Sequence, residues 1–185
     1  HEGVLAYNND NYANSISRLD SSEELIKKLH RVYEDKLEEY FLNYDEWEEW
    51  VSQAITYSDR NRSYCIVIDK MARKCDLYKN GRMIKSFNAE LGPNWIGGKQ
   101  QQGDKRTPEG NYRITKKKSG SETRFYKALL LNYPNEEDKT RFSANKRKGI
   151  IGANARIGNL IEIHGQGGRG VDWTDGCIAL KNDDM

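Results

Sequence analysis

The chain has no long apolar run. None of its segments provides the roughly 18 consecutive apolar residues that a membrane-spanning helix needs, so the sequence predicts no transmembrane helix and no stable membrane insertion. A signal peptide is not recognisable either, and the sequence starts at His1 without methionine, as a processed or trimmed chain would. We therefore expect any signal or anchor segment to lie outside this sequence.

Cysteine is scarce. The three cysteines, Cys65, Cys75 and Cys177, are too few for a disulfide framework. Cys65 and Cys75 lie in neighbouring strands of a predicted hairpin and could pair, but the strand register cannot be derived from the sequence. Cys177 would then be the odd thiol, which calls for a chemical explanation before a packing one.

Net charge is also small, because 30 basic residues face 28 acidic ones, and it identifies no partner. The charges are nevertheless unevenly distributed. Residues 23–49 hold ten acids against four Lys or Arg, whereas residues 99–148 hold fourteen Lys or Arg against six acids. The basic stretch would suit a carboxylate-rich polymer or a nucleic acid, and it is equally consistent with a solvated face.

A length of 185 residues fits one domain, or one domain with a helical appendage.

The N-terminal third has helical periodicity. Residues 1–19 are polar and show none, but Ser21 and Glu24 then have capping-box spacing. Apolar residues follow at one-face spacing from Leu25 to Tyr44, and a second stripe runs from Trp47 to Ile55. The pattern predicts two helices, over 21–42 and 46–57. We interpret the aromatic stripe as the surface that docks them on the following domain, although it could line a ligand groove.

The character of the sequence changes at about residue 62. Short β-rich runs are separated by turn residues, and "TPEG" (107–110) is a turn with Pro followed by Gly. The strand candidates are "YCIVID" (64–69), "CDLYKNG" (75–81), "IKSFNAELG" (84–92), the end of "NWIGGKQQQGDKRTPEGNYRI" (94–114), "YKALLLNYP" (126–134), "NLIEIHG" (159–165) and "GCIAL" (176–180). The sequence therefore predicts an N-terminal helical segment over 1–60 and a mainly-β domain over 61–185.

Two of these strand candidates contain side chains that could take part in catalysis, a cysteine and a histidine. A cysteine nucleophile reacts as the thiolate, so it needs a group that takes its proton, and a histidine within hydrogen-bond reach does this. "IEIH" could place His164 at the end of a strand, and "TDGC" could expose Cys177 at a turn. The N–H groups of Gly176 and Cys177 could bind the oxyanion. Asp175, Asp172 or a backbone carbonyl could orient the imidazole.

Other interpretations of the same residues remain. Cys177 could be a small buried hydrophobe, and His164 a satisfied core or surface residue. A metal site of His164, Cys177 and an aspartate lacks a fourth ligand and any C-x-x-C spacing. The loop "HGQGGRG" (164–170) lacks the G-K-[ST] of a phosphate cradle.

The segment "IEIHGQGGRGVDWTDGCIALKNDDM" resembles the signature of the L,D-transpeptidase catalytic domain family (YkuD-type), which is His-Gly, a variable loop and Ser/Thr-x-Gly-Cys. "GDKRTPEGNYRI" (103–114) is similar to a second recurrent element of that family, and "YCIVIDKMARKCDLYKNGRMIKSF" is similar to its opening hairpin. The resemblance covers about 62–182. It implies a β-sandwich or β-barrel-like catalytic domain that needs neither cofactor nor metal.

The resemblance also implies a reaction. Members act outside the cytoplasm, in the periplasm or cell wall, on peptidoglycan stem peptides and not on nucleic acid. By that resemblance Cys177 attacks the carbonyl of an L-residue bonded to a D-residue, and an amine or water resolves the thioester. His164 is the implied base, and Gly165 keeps the histidine loop compact. Thr174, Asp175 and Gly176 shape the turn. For substrate binding we expect Trp173, Tyr133 and Arg106.

One position departs from the commoner family pattern. Many members carry Arg two residues after the cysteine, where this chain has Ala179. "DWTDGCIAL" looks like a branch with Trp-Thr-x-Gly-Cys-x-Ala-Leu, some of whose members are hydrolases. The alternatives to a transpeptidase are therefore an L,D-carboxypeptidase or amidase, or a non-catalytic peptidoglycan-binding module. The sequence predicts no oligomeric state, and residues that follow Met185 in the native protein could close the site.

Overall fold

A computed structural model describes residues 12–185. The chain forms two compact units that divide between Tyr44 and Asp45, and each is described by itself. The part of the predicted helical segment that falls on residues 1–11 lies outside the described residues. None of the described helices combines the length and the apolar character that crossing a bilayer requires.

The first unit contains one long helix, α1, over Tyr12–Phe41. Its described part begins nine residues before the predicted start, because Ser21 is not an N-cap: its hydroxyl donates to the carbonyl of Ser17 at 2.7 Å within the helix. Pairs one turn apart, such as Glu23 with Lys27, support the helix locally. Of the apolar residues that predicted the helical face, Leu25, Leu29, Val32 and Tyr33 are exposed, whereas Tyr40 is buried.

Helix α2, over Tyr44–Arg60, belongs to the second unit from its second residue onward. Acids in its first turn and Arg60 in its last turn suit the helix dipole. Its predicted stripe, from Trp47 to Ile55, is partly buried along one face. The buried hydroxyl of Ser58 donates to Ser63 O at 2.8 Å and accepts from Gly81 N at 3.3 Å, which fixes the end of α2 to the sheet that follows it.

The first sheet is a three-stranded antiparallel meander, as predicted, in the order β1-β2-β3. Its strands are β1 (Tyr64–Asp69), β2 (Lys74–Lys79) and β3 (Arg82–Asn88). In the β1–β2 register Cys65 is opposite Tyr78 and Cys75 is opposite Ile68, so the two thiols are not partners, and both are free. Burial raises the pKa of the Cys75 thiol to about 12.

The second sheet has four strands in the order β4-β5-β6-β7, and its last pair is parallel. The strands are β4 (Ile114–Ser119), β5 (Lys127–Leu131), β6 (Glu162–His164) and β7 (Ile178–Ala179). Helix α3, over Glu136–Arg147, connects β5 to β6 and begins with a capping box formed by Asn135 and Asp138. Helix α3 was not predicted from the sequence, because its polar composition leaves no apolar stripe.

The core draws on both sheets. Its buried and partly buried members are Ile66, Ile68, Cys75, Phe87, Ala89, Leu91, Tyr112, Leu129, Leu131, Tyr133, Ile161, Ile163, Ile178, Leu180 and Met185. An antiparallel bridge between Glu90 and Ala179 joins the end of the meander to β7. The expected β domain preceded by N-terminal helices is confirmed, with more helix than a mainly-β chain implies, since α3 lies within the domain.

Candidate active site

The turn before β7 is built around Gly176. Its φ of 127° is one that side-chain-bearing residues rarely adopt, and a methyl group added there would lie 2.5 Å from the carbonyl oxygen of Arg106. The buried hydroxyl of Thr174 donates to Cys177 O at 2.7 Å and accepts from Gly176 N at 3.2 Å. These contacts stabilise the turn, and Cys177 lies at its end.

The parallel pair β6–β7 brings the histidine to the face that carries the cysteine. Ile163 is opposite Ile178 and His164 is opposite Ala179. Side chains alternate along a strand, and residues opposite each other in a ladder share a face. Cys177 precedes Ala179 by two residues, so it lies on the same face as His164.

The imidazole of His164 is oriented by the main chain. The side chain is 1% exposed, and Nδ1 lies 2.6 Å from the carbonyl oxygen of Gly165. Because a carbonyl can only accept, Nδ1 carries the proton and Nε2 is the basic nitrogen. Asp172 is occupied elsewhere, since its carboxylate accepts from Arg73 and from Leu91 N. Of the three orienting groups that the sequence left open, the structure shows the backbone carbonyl.

Two aromatic rings fix the plane of the imidazole. Phe125 stacks on His164, with ring centroids 3.5 Å apart and planes 9° apart. Trp173 meets the same imidazole at 5.9 Å and 67°. Because the imidazole is buried, the pKa of His164 is lowered, although its bond to Gly165 O opposes the shift. At neutral pH His164 is therefore a neutral base.

Cys177 is partly buried, and its Sγ lies 3.6 Å from the carbonyl oxygen of Leu160. Burial raises the pKa of the thiol. The backbone N–H of Glu162, together with the charges of Arg124 and Lys99, favours the thiolate but does not reverse that effect. The resting pair is thus a neutral thiol and a neutral imidazole, and the thiolate has to form by proton transfer as the sulfur attacks.

Glu90 organises the glycine-rich loop that follows His164. One carboxylate oxygen accepts from Gly168 N at 3.0 Å and from Gly170 N at 2.7 Å, and the other accepts from Trp173 Nε1 at 2.8 Å. Glu90 was not among the site residues predicted from the sequence. Its signal was an acid inside the β-rich run "SFNAELG", where a buried charge needs donors.

Lys99 is a second missed residue. Its side chain is buried, and Nζ donates to Asp104 Oδ1 at 2.7 Å and to Asp175 O at 3.2 Å. This buried ion pair ties the loop from Lys99 to Arg106 to the turn that carries Cys177. The signal was a Lys and an Asp within the stretch "GGKQQQGDKRTPEG", but nothing in the sequence pointed to their partner.

The other predicted site residues have different positions. Gly165 is tightly enclosed, since an added methyl group would lie 2.6 Å from Asn182 Oδ1. The side chain of Asp175 is exposed, and only its carbonyl takes part in the turn. Arg106 faces Gly176 with its own carbonyl, while its guanidinium lies beside Gly97.

Tyr133 is a core residue. Its ring is buried, contacts Tyr112 at a centroid distance of 6.1 Å, and its hydroxyl donates to Ile157 O at 3.1 Å. Substrate binding by Tyr133 stays a prediction. Within residues 12–185, no three His, Cys, Asp or Glu side chains cluster in a way that could hold a metal ion.

Comparison with known proteins gives one family. Two curated relatives, both named "Putative L,D-transpeptidase YafK", come from Escherichia coli strains K12 and O157:H7. Each is 33% identical over 121 residues, which is 63% of this chain and 42% of the relative, so the chain spans about two fifths of their length. The solved structure of Bdellovibrio bacteriovorus Bd1075 is 26% identical, covers 65% of this chain and 41% of that one, and has a TM-score of 0.47.

A family model also matches the part of the chain that contains the site. It is the model of the L,D-transpeptidase catalytic domain (YkuD), and it covers residues 63–185. That range includes both sheets, the histidine at the end of β6 and the cysteine before β7. The chain therefore belongs to the L,D-transpeptidase catalytic domain family.

Proposed function

We propose that the chain catalyses cysteine-dependent acyl transfer on peptidoglycan stem peptides, outside the cytoplasm, with Cys177 as nucleophile and His164 as base. One observation carries the proposal. The only imidazole in residues 62–185 is buried with Nδ1 on Gly165 O, so that its basic Nε2 remains for the thiol on the same strand face. Family membership supports the substrate class.

The first half-reaction forms a thioester. His164 Nε2 takes the Sγ proton as the sulfur of Cys177 attacks the carbonyl carbon of an L-residue bonded to a D-residue. The oxyanion accepts from the N–H of Cys177. Collapse breaks the amide bond, and the imidazolium returns its proton to the departing amine of the D-residue.

The second half-reaction resolves the thioester. An amine of a second stem peptide, or water, loses a proton to His164 as it attacks the thioester carbonyl, and the cysteine leaves as a thiol. An amine gives a cross-link, whereas water gives a shortened peptide.

Of the two oxyanion donors expected from the sequence, Gly176 N–H already donates to Thr174 Oγ, so the proposal relies on Cys177 N–H.

Hydrolysis is the second candidate, and Ala179 favours it. This residue is fully buried, and its backbone pairs with Glu90 on one side and lies opposite His164 on the other. Position 179 therefore offers no side chain to hold an acceptor peptide. A branch with this motif contains hydrolases, which would trim stem peptides or release proteins attached to the wall.

Product analysis on purified muropeptides tests the proposal. We expect the native chain to form either new dimers, which indicate transfer, or shortened monomers alone, which indicate hydrolysis. Cys177→Ala should form neither, while Cys65→Ala, which removes a thiol on β1, should behave as the native chain. Muropeptides left unchanged by the native chain would contradict acyl transfer and favour a non-catalytic binding module.

A further inference from the structure

Two arginines flank the imidazole, each separated from it by one aromatic ring. The guanidinium carbon of Arg124 lies 4.9 Å above the ring of Phe125, which stacks on His164. The guanidinium carbon of Arg169 lies 3.5 Å above the ring of Trp173, which meets the same imidazole at an interplanar angle of 67°. Each of the two cations therefore lies over a ring that contacts His164.

The two arginines come from two loops that are joined to each other. Arg124 precedes β5, and Arg169 belongs to the glycine-rich loop after β6. Gln166 of the latter loop donates from Nε2 to the carbonyl of Arg124 at 3.1 Å. Glu90 fixes the other end of the glycine-rich loop through Gly168 and Gly170. Both guanidinium groups are thus carried by anchored main chain.

Neither guanidinium is neutralised. Arg124 and Arg169 are exposed, and within residues 12–185 neither forms an ion pair, whereas Arg73 pairs with Asp172 and Arg141 with Asp138. Stacking on an aromatic ring occupies the face of a guanidinium and leaves its N–H edge available. The charge of Arg124 acts to lower the pKa of Cys177, and the charges of both arginines act to lower the pKa of His164.

We propose that Arg124 and Arg169 form a carboxylate-binding site that recognises a carboxylate next to the scissile bond of the acyl donor. A planar guanidinium binds a carboxylate through two parallel hydrogen bonds, which also fixes its orientation. This inference rests on the proposed function. In a stem peptide such a carboxylate has two sources, the terminus of the departing D-residue and the side chain of the L-centre that is attacked.

Three donor peptides distinguish these sources: the free acid, its C-terminal carboxamide, and a peptide whose side-chain carboxylate is an amide. Because a charged hydrogen-bonded pair is lost, we expect the native chain to lose about ten- to hundredfold in kcat/KM when the recognised carboxylate is amidated. Arg124→Gln and Arg169→Gln should each lower kcat/KM on the free acid, but not on the peptide that lacks that carboxylate.

The control variant is Arg147→Gln, which removes an exposed arginine at the end of α3 and should leave every value unchanged. Arg124→Lys should recover only part of the preference, since lysine retains the charge but not the two parallel donors. Two results would contradict the proposed carboxylate-binding site. In the first, both glutamine variants keep the native preference for the donor with the free carboxylate. In the second, they lose activity equally on all three peptides. If the native chain converts none of the peptides, the acyl-transfer function itself fails, which is a separate result.

Discussion

Burial of the reacting pair determines its resting protonation. Because burial lowers the pKa of His164 below its ordinary value of 6.5, the imidazole stays neutral and basic until the pH falls below that value. The acid limb of kcat/KM should therefore lie below pH 6.5, as measured with a peptide that does not titrate in that range. A limb centred above pH 6.5 would contradict a buried neutral base.

The same burial acts on the thiol. Because the pKa of Cys177 is raised above its ordinary value of 9.0, alkylation by a small neutral reagent should be slow at pH 7, should rise about tenfold per pH unit, and should level off only above pH 9. The measurement is the rate of Cys177 modification against pH, followed by mass spectrometry. Rapid alkylation at pH 7 would show a preformed thiolate and would remove the need for proton transfer during attack.

At Gly176, the addition of a single methyl group should strongly destabilise the fold. Gly176→Ala places a methyl group against the main chain of Arg106 at an unfavourable φ, so it should lower the free energy of unfolding by about 3 kcal/mol or more. Gly149→Ala is the matched control. It also has positive φ but open space around it, and should cost about 1 kcal/mol in denaturant titrations. Equal costs would refute the contact with Arg106.

Cys75 should make stability fall in alkali. The unfolded thiol ionises near its ordinary value of 9.0, whereas the folded thiol keeps its proton until about pH 12, so unfolding releases a proton between these values. The free energy of unfolding should decrease with pH in that window, by at most about 1.4 kcal/mol per unit. Cys75→Val should flatten the decrease between pH 9 and 10, and an unchanged slope would contradict the burial of this thiol.

Sequence identified the residues whose chemistry is local. "TDGC" and "IEIH" each contain a reactive group with its turn or strand, so Cys177 and His164 could be proposed without a fold. Glu90 and Lys99 could not, because only the folded loops bring Gly170 N–H and Trp173 Nε1 to Glu90 and the carbonyl of Asp175 to Lys99. The burial of Tyr133 could not be predicted for the same reason, since the carbonyl that accepts from its hydroxyl lies 24 residues away.

At the scale of elements, two buried charges hold the loops of the site. Glu90 fixes the loop after β6, and Lys99 fixes the turn before β7. Strands β1 to β3 and β5 were predicted closely, because alternation and turn residues determine them locally. The start of α1 and the whole of α3 were not, since a capping-box spacing also occurs inside helices and a polar helix has no apolar stripe.

Lys99→Met tests the role of the buried ion pair. It leaves the carboxylate of Asp104 buried without its cation and frees the carbonyl of Asp175, so we expect a loss of about 3 kcal/mol in stability. It should also lower kcat while KM changes little, because the turn that carries Cys177 loses its anchor. Lys139→Met, which breaks an exposed ion pair on α3, should change stability by less than about 0.5 kcal/mol and leave kcat unaltered. A native kcat in Lys99→Met would show that the pair has no part in positioning the nucleophile.

At the scale of the whole molecule, the active-site groups discussed above all lie in the second compact unit. We therefore expect the chain from Asp45 to Met185 to fold by itself and to retain the native rate of thiol modification and of product formation. Thermal unfolding and product analysis on the shortened chain provide the measurement. Loss of activity in a shortened chain that still unfolds cooperatively would show that residues 1–44 contribute to the site.

The most direct test of the account is the acyl-enzyme itself. Intact-protein mass spectrometry after brief incubation with a donor stem peptide, or with a carbapenem that acylates such thiols, should show one adduct on Cys177 that hydroxylamine removes, as expected of a thioester. The adduct should persist in Cys65→Ala and disappear in Cys177→Ala. An adduct that survives in Cys177→Ala, or the absence of any adduct in the native chain under both conditions, would contradict the assignment of Cys177 as the nucleophile.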